Sequence, residues 1–275
     1  MNFSELLNNV KTTPPLIHNI TNYVTVNDCA NILLAIGAAP IMADDIEEVE
    51  EITTICSALN INIGTLNSRT IKSMIQAGIK SNKLNHPVIL DPVGAGASKL
   101  RTQTTESLLN KINFTVIRGN ISEIKTLAMG SNTTLGVDAN ELDTVTEQNL
   151  DETIIFLKAY SKKTKSIIAI TGTIDIIANE HQAIVVRNGH PEMSKVTGTG
   201  CMLSALITAF VAANPNNALH ATATAIVAMG LCGELGFETV LANNAGNSSY
   251  RNYIIDEIYK LTPDSLRKGA KYEIR

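Results

Sequence analysis

The chain has 275 residues, 44% hydrophobic and 4% aromatic, with no Trp. That length allows one large α/β domain or two small ones around a substantial core, and the composition suits Val/Ile-rich strands and Ala/Leu-rich helices. A formal net charge of −4 without any Lys/Arg block argues against a nucleic-acid partner, which needs a basic face for the phosphate backbone.

The opening MNFSELLNNVKTTPP has neither the basic start nor the apolar run of a signal peptide. A short helix is expected over 4–10, with Ser4 near its cap and Pro14-Pro15 ending it. A strand follows over 16–20, then a helix over 27–36 stopped by Gly37. Residues 40–42 read as a brief strand, followed by an acidic helix from near Ile46. Strands at 59–63, 87–90, 114–117 and 166–170 alternate with helical runs such as 68–79. Residues 130–149 are polar and read as an excursion outside the core. Two runs at 174–178 and 182–186, parted by Asn179-Glu180-His181, form a hairpin. From Gly198 the pattern is helical to the end, over 202–213, 218–235 and 248–260.

Short buried strands alternating with helices predict a mostly parallel central sheet covered on both faces, in a single domain over 1–275. The apolar stretches 202–213 and 221–232, separated by Asn214-Pro215-Asn216-Asn217, are too short to span a bilayer and read as core helices. No membrane partner is expected, and the cytoplasm is the expected compartment. Cys29, Cys56, Cys201 and Cys232 lie far apart, so their spacing suggests neither a disulfide framework nor a zinc site.

In an open parallel sheet, ligands gather beyond the carboxyl ends of the strands. The segments there are Met42-Ala43-Asp44, Asp91-Pro92-Val93-Gly94, Arg118-Gly119-Asn120 and Thr171-Gly172. No G-x-x-x-x-G-K-[ST] motif is present, and Gly94-Ala95-Gly96-Ala97 lacks the third glycine of a dinucleotide fingerprint.

The sharpest local signal is Val196-Thr197-Gly198-Thr199-Gly200-Cys201-Met202 before an apolar helix. Gly198, Thr199 and Gly200 would aim amide groups at a phosphoryl group, aided by the helix dipole, or would merely cap the helix. Cys201 in the first turn is expected to have a lowered thiol pKa and to accept a proton from a hydroxyl, or to be a small buried hydrophobe. Asp91 and Glu123 could share an Mg²⁺ with phosphates. Arg118 and Thr171 could contact a nucleotide. His18-Asn19-Ile20-Thr21-Asn22-Tyr23 is dense in polar groups that suit recognition of a small heterocycle, or a polar turn, with Met42 as an apolar wall or a core residue.

Six segments in order, including residues 15–24 (PLIHNITNYV), 37–42 (GAAPIM), 62–66 (NIGTL), 91–95 (DPVGA), 118–123 (RGNISE) and 196–201 (VTGTGC), make the chain resemble the hydroxyethylthiazole kinases of the ribokinase-like superfamily. The resemblance implies a three-layer ribokinase-like fold and a homotrimer with sites at subunit boundaries. It also implies transfer of the ATP γ-phosphate to hydroxyethylthiazole in thiamin salvage. On that basis Met42, Gly198 and Asn22 would meet the thiazole, Arg118 and Thr171 would bind ATP, and Asp91 and Glu123 would organise Mg²⁺. Residues 198–201 would form the anion hole, with Cys201 where related sugar kinases carry Asp. Rival readings are a hydroxymethylpyrimidine kinase, a nucleotide-dependent dehydratase or lyase on the same fold, and a non-catalytic binder.

Overall fold

The computed structural model describes residues 1–129 and 144–275. Nine strands form one sheet: β1 (Leu16–Ile20), β2 (Ala39–Met42), β3 (Ala58–Asn62), β4 (Val88–Asp91), β5 (Val116–Gly119), β6 (Ile167–Ile170), β7 (Asp175–Ala178), β8 (Ala183–Val186) and β9 (Tyr272–Ile274). The spatial order is β2-β1-β3-β4-β5-β6-β7-β8-β9. Strands β2 through β6 pair in parallel and β6 through β9 antiparallel.

The apolar character of the central strands on both faces requires two covering layers. In β4, Ile89 points into one core while Val88 and Leu90 point into the other. The first core is closed by α1 (Phe3–Thr12), α2 (Val26–Ile36), α8 (Thr199–Ala213), α9 (Ala218–Ala242), α10 (Asn247–Lys260) and α11 (Pro263–Gly269). The second is closed by α3 (Val49–Ile55), α4 (Ser68–Lys83), α5 (Lys99–Lys111), α6 (Ile121–Met129) and α7 (Leu150–Thr164). This is the expected three-layer arrangement. Gly37 ends α2 as read, at φ +98°, and Asn67 starts α4 through a reciprocal capping box with Thr70.

The structure departs from the sequence reading in places, first at α1, whose N-cap is Asn2 and not Ser4. The chain does not stay helical to its end. Tyr272–Ile274 forms β9 on the open edge of β8, with Ile184 opposite Ile274. The second apolar helix is also longer than read. Together with the turn before it, Pro215–Ala242 has the length and hydropathy to cross a bilayer. Residues 221–233 of that helix are nonetheless all buried against the rest of the first core, as expected of a central packing helix. Finally, the polar excursion over 130–149 lies mostly outside the described residues. Within its described part Val145 is buried in the second core, and Asn149 is the N-cap residue of α7.

Candidate active site

The carboxyl ends of β1, β3, β4, β5 and β6 open on one edge of the sheet, and the amino end of α8 faces them. Gly198, the residue before α8, has φ +89°, a left-handed conformation that favours glycine. A Cβ on Gly198 would also lie 2.5 Å from Thr25 Cγ2. Met202 is the first amide of the helix with an intrahelical acceptor, the Gly198 carbonyl at 2.8 Å. The amides of Thr199, Gly200 and Cys201 lie upstream of it, at the end where helix geometry leaves N–H groups for a ligand.

Cys201 is tied into a relay of side chains. Asn22 Nδ2 donates to Cys201 Sγ at 3.1 Å and to Asn62 Oδ1 at 3.0 Å. Thr25 holds the other end of Asn22, donating from its amide (3.1 Å) and its hydroxyl (3.0 Å) to Asn22 Oδ1. Asn62 Nδ2 donates to Asp91 Oδ2 at 2.8 Å, and Ser204 Oγ donates to the same oxygen at 2.8 Å. Ser204 lies three residues beyond Cys201 on α8, so one turn of that helix touches both ends of the relay.

The electrostatics correct one expectation. The Cys201 thiol pKa is raised, first by burial and then by the nearby Asp91 charge. Both disfavour the charged form, so the resting side chain is a neutral thiol and not the thiolate that its position suggested. Asp91 is fully buried, and burial pushes its carboxyl up to about 6 against the opposing pull of Arg118.

Arg118 lies on the other side of the α8 turn. Its Nη2 donates to Thr171 Oγ1, and its Nη1 is 3.6 Å from Asp91 Oδ2. A Cβ on Gly200 would come within 2.6 Å of Nη1, so the guanidinium rests directly on the Gly200 backbone. Beyond Arg118 and Thr171 opens a cleft of about 640 Å³, lined also by Asp175, His190, Thr199 and Gly230. Gly172 N–H donates to Asp175 Oδ1 at 2.9 Å, and burial pushes that carboxyl up to about 7. The opposite wall is braced from behind. Asn188 bonds the Gly269 carbonyl (2.9 Å) and the Lys271 amide (2.8 Å), while Glu234 accepts from Gly189 N–H (2.8 Å) and from Lys271 Nζ (2.7 Å).

Glu123, in the first turn of α6, accepts Gly94 N–H on Oε1 (2.8 Å) and Asn120 N–H on Oε2 (2.8 Å). Among the described residues, no cluster of three or more His, Cys, Asp or Glu could hold a metal alone. Mg²⁺ does not need one, because it keeps waters and shares its positions between one or two carboxylates and substrate phosphates. Asp91 Oδ1 is a buried acceptor with no hydrogen-bond partner, a deficit that a hydrated cation would relieve. The donor set therefore fits the ion.

Of the residues singled out from the sequence, Asn22, Asp91, Arg118, Thr171 and residues 198–201 converge on one turn, with Glu123 behind the β4 loop. Met42 stands apart, at the carboxyl end of the edge strand β2 and packed on the first core. The polar run 18–23 is largely structural. His18 is fully buried between Thr53 Oγ1 (3.0 Å) and the Ala43 carbonyl (2.8 Å), and Asn19 bonds the Ile17 carbonyl and Asn60. Sequence reasoning gave no role to Asn62, Ser204 or Asp175. Asn62 carried the one available signal, an amide at the carboxyl end of a buried strand that also holds Asn60.

A model of the hydroxyethylthiazole kinase family matches residues 7–264. The hydroxyethylthiazole kinase of Clostridium acetobutylicum is 65% identical over 98% of this chain and 98% of its own. The structure of a hydroxyethylthiazole kinase protein from Pyrococcus horikoshii superposes with a TM-score of 0.87 at 36% identity, covering 99% of this chain and 98% of that one. A ribokinase-like superfamily protein from Enterococcus faecalis, 13% identical over 98% of this chain and 90% of its own, shares the fold with a TM-score of 0.60. With its ribokinase-like fold, and with its glycine turn, arginine and buried carboxylate gathered at one edge of the sheet, this chain belongs to the hydroxyethylthiazole kinase family.

Proposed function

We propose that this protein transfers the γ-phosphoryl group of ATP to the hydroxyl of 4-methyl-5-(2-hydroxyethyl)thiazole, supplying thiazole phosphate for thiamin. One observation carries the reading: the turn at residues 198–201 touches both halves of such a reaction. Cys201 faces the Asn22 amide on one side, and Gly200 lies under Arg118 on the other.

The alcohol sits beside Cys201 and Asn22, with Gly198 against the ring and Met42 reaching it from a neighbouring copy across the subunit boundary. Arg118 and Thr171 hold the phosphate chain of ATP, whose nucleoside occupies the cleft beyond them. The alcohol oxygen forms the new O–P bond as the bond to the ADP oxygen breaks. In a loose transition state charge spreads over the phosphoryl oxygens, and the amides of residues 199–201 are aimed at them. Little deprotonation is needed early in such a step, so a neutral thiol at Cys201 suffices to orient the hydroxyl, whose proton passes late to an oxygen of the transferred phosphoryl group. Asp91 and Glu123 would hold Mg²⁺, which neutralises phosphate charge when bound.

The reading extends to a homotrimer in the cytoplasm with sites at subunit boundaries. Its support is local: Tyr23 and Val24, next to Asn22 in the chain, are 76% and 58% exposed, Leu34 on α2 is 58% exposed, and Met42 lies on an edge strand. Solution light scattering at a trimer mass is the check. The reaction itself is tested by ADP release with hydroxyethylthiazole and with hydroxymethylpyrimidine, alongside mass detection of the phosphate ester. ADP release that ignores the thiazole, or a phosphate ester on the pyrimidine alone, would overturn it.

A further inference from the structure

The structure assigns Arg101 a positioning role: its guanidinium clamps together the two strand-end loops that carry the acceptor side and the metal side of the site. Arg101 lies in the first turn of α5. Its Nη2 donates to the Gly64 carbonyl at 2.7 Å, in the loop after β3, and its Nη1 donates to the Val93 carbonyl at 3.1 Å, in the loop after β4. The fork is pressed onto the second loop. Gly94 has φ +73°, and a Cβ there would sit 2.1 Å from Nη1. The loop geometry and the arginine therefore require one another.

Each clamped peptide leads on to a side chain of the reaction site. Gly94 N–H donates to Glu123 Oε1 at 2.8 Å. Gly64 N–H donates to Asn62 Oδ1 at 2.9 Å, the oxygen that also receives Asn22 Nδ2, the amide that reaches Cys201. The connection runs Cys201, Asn22, Asn62, Gly64, Arg101, Gly94, Glu123. Arg101 closes it beyond the last strand-end bonds, Ile63 N–H to the Asp91 carbonyl at 3.2 Å and Asn62 Nδ2 to Asp91 Oδ2 at 2.8 Å. A planar guanidinium presents two donors at a fixed spacing, whereas an ammonium is a single point. Lysine can hold either carbonyl but not both in register. The role of Glu123 rests on the metal reading above, and the test separates the two ideas.

The experiment compares Arg101→Lys and Arg101→Met with wild type and with Glu123→Gln. In both Arg101 variants the Mg²⁺ concentration for half-maximal turnover rises about tenfold, as for other groups that orient metal ligands from behind. Turnover falls by about the same factor, while the thiazole KM stays within about twofold. Amide hydrogen exchange, read without substrate or metal, quickens in the segments 64–66 and 93–97 and not in the sheet. Wild-type exchange in those loops, or full rescue by lysine, would overturn the clamp. If methionine unfolds the protein, the lysine variant still decides. Wild-type Mg²⁺ dependence in Glu123→Gln would instead overturn the metal role of that residue, leaving the exchange data to judge Arg101.

Discussion

The guanidinium of Arg118 rests on Gly200, close enough that any Cβ at position 200 would stand 2.6 Å from Nη1. Arg118 cannot readily retreat, because Thr171 and Asp91 hold it from the far side. Position 200 is helical, and alanine is a better helix former than glycine by up to about 1 kcal/mol. Displacing a held Arg118 costs more, about 1–3 kcal/mol for an overpacked contact, so Gly200→Ala should melt below the wild-type temperature while kcat/KM for ATP falls about 100-fold, the penalty of misplacing a positioned group by about 1 Å. Paired melting curves and ATP kinetics check it. Unaltered kinetics would show that Arg118 can adjust.

Cys201 separates orientation from proton transfer. Cys201→Ala should lower kcat by at least about tenfold with the thiazole KM nearly unchanged, because the contact strengthens during transfer. Cys201→Asp should retain turnover, since a carboxylate can accept both the Asn22 amide and the hydroxyl proton. Steady-state kinetics of the two variants decide it, and an inactive but folded aspartate variant would point to a need for a small uncharged group.

Asn22 and Asn62 share a hydrogen bond and act on the same sulfur. Asn62→Ala also strips a donor from buried Asp91 and an acceptor from Gly64, so it should cost about 1–3 kcal/mol of stability. A double-mutant cycle with Asn22→Ala should give a coupling of about 0.5–3 kcal/mol in both stability and kcat. Strict additivity would mean that the relay is two separate contacts.

Asp175 predicts a pH dependence. Its folded pKa, about 7, lies above the ordinary 3.8 because burial disfavours the charged form. The folded state therefore keeps the proton longer than the unfolded chain. The contribution is fully present below about pH 4 and is lost as pH rises through about 7. Asp175→Asn keeps an acceptor for Gly172 N–H and does not titrate. Its melting temperature relative to wild type should rise between about pH 4 and about pH 8, and a gap that stays constant across that range counts against a carboxyl titrating half-buried in the cleft wall.

What the sequence made legible follows from the range of the forces involved. Short apolar runs located β4, β6 and, displaced by two residues, β5, because burial on both faces leaves no other pattern. The glycine turn at 198–201 was legible because it is contiguous. Asn62, Ser204 and Arg101 were not, since each needs a partner between 29 and 113 residues away. Cys201 shows the limit most sharply. The helix terminus is local and lowers a thiol pKa, whereas the burial and the Asp91 charge that raise it are tertiary. Strand β9 escaped for a similar reason: three residues carry little periodicity, and only the open edge of β8 makes them a strand.

That short strand has a practical consequence. Residues 269–271, just ahead of it, grip Asn188 and Glu234 from outside, and those two hold the far wall of the cleft. A purification handle or fusion partner attached behind Ile274 would pull on the same girder. Nucleotide affinity measured on such a fusion would then report the attachment as much as the enzyme.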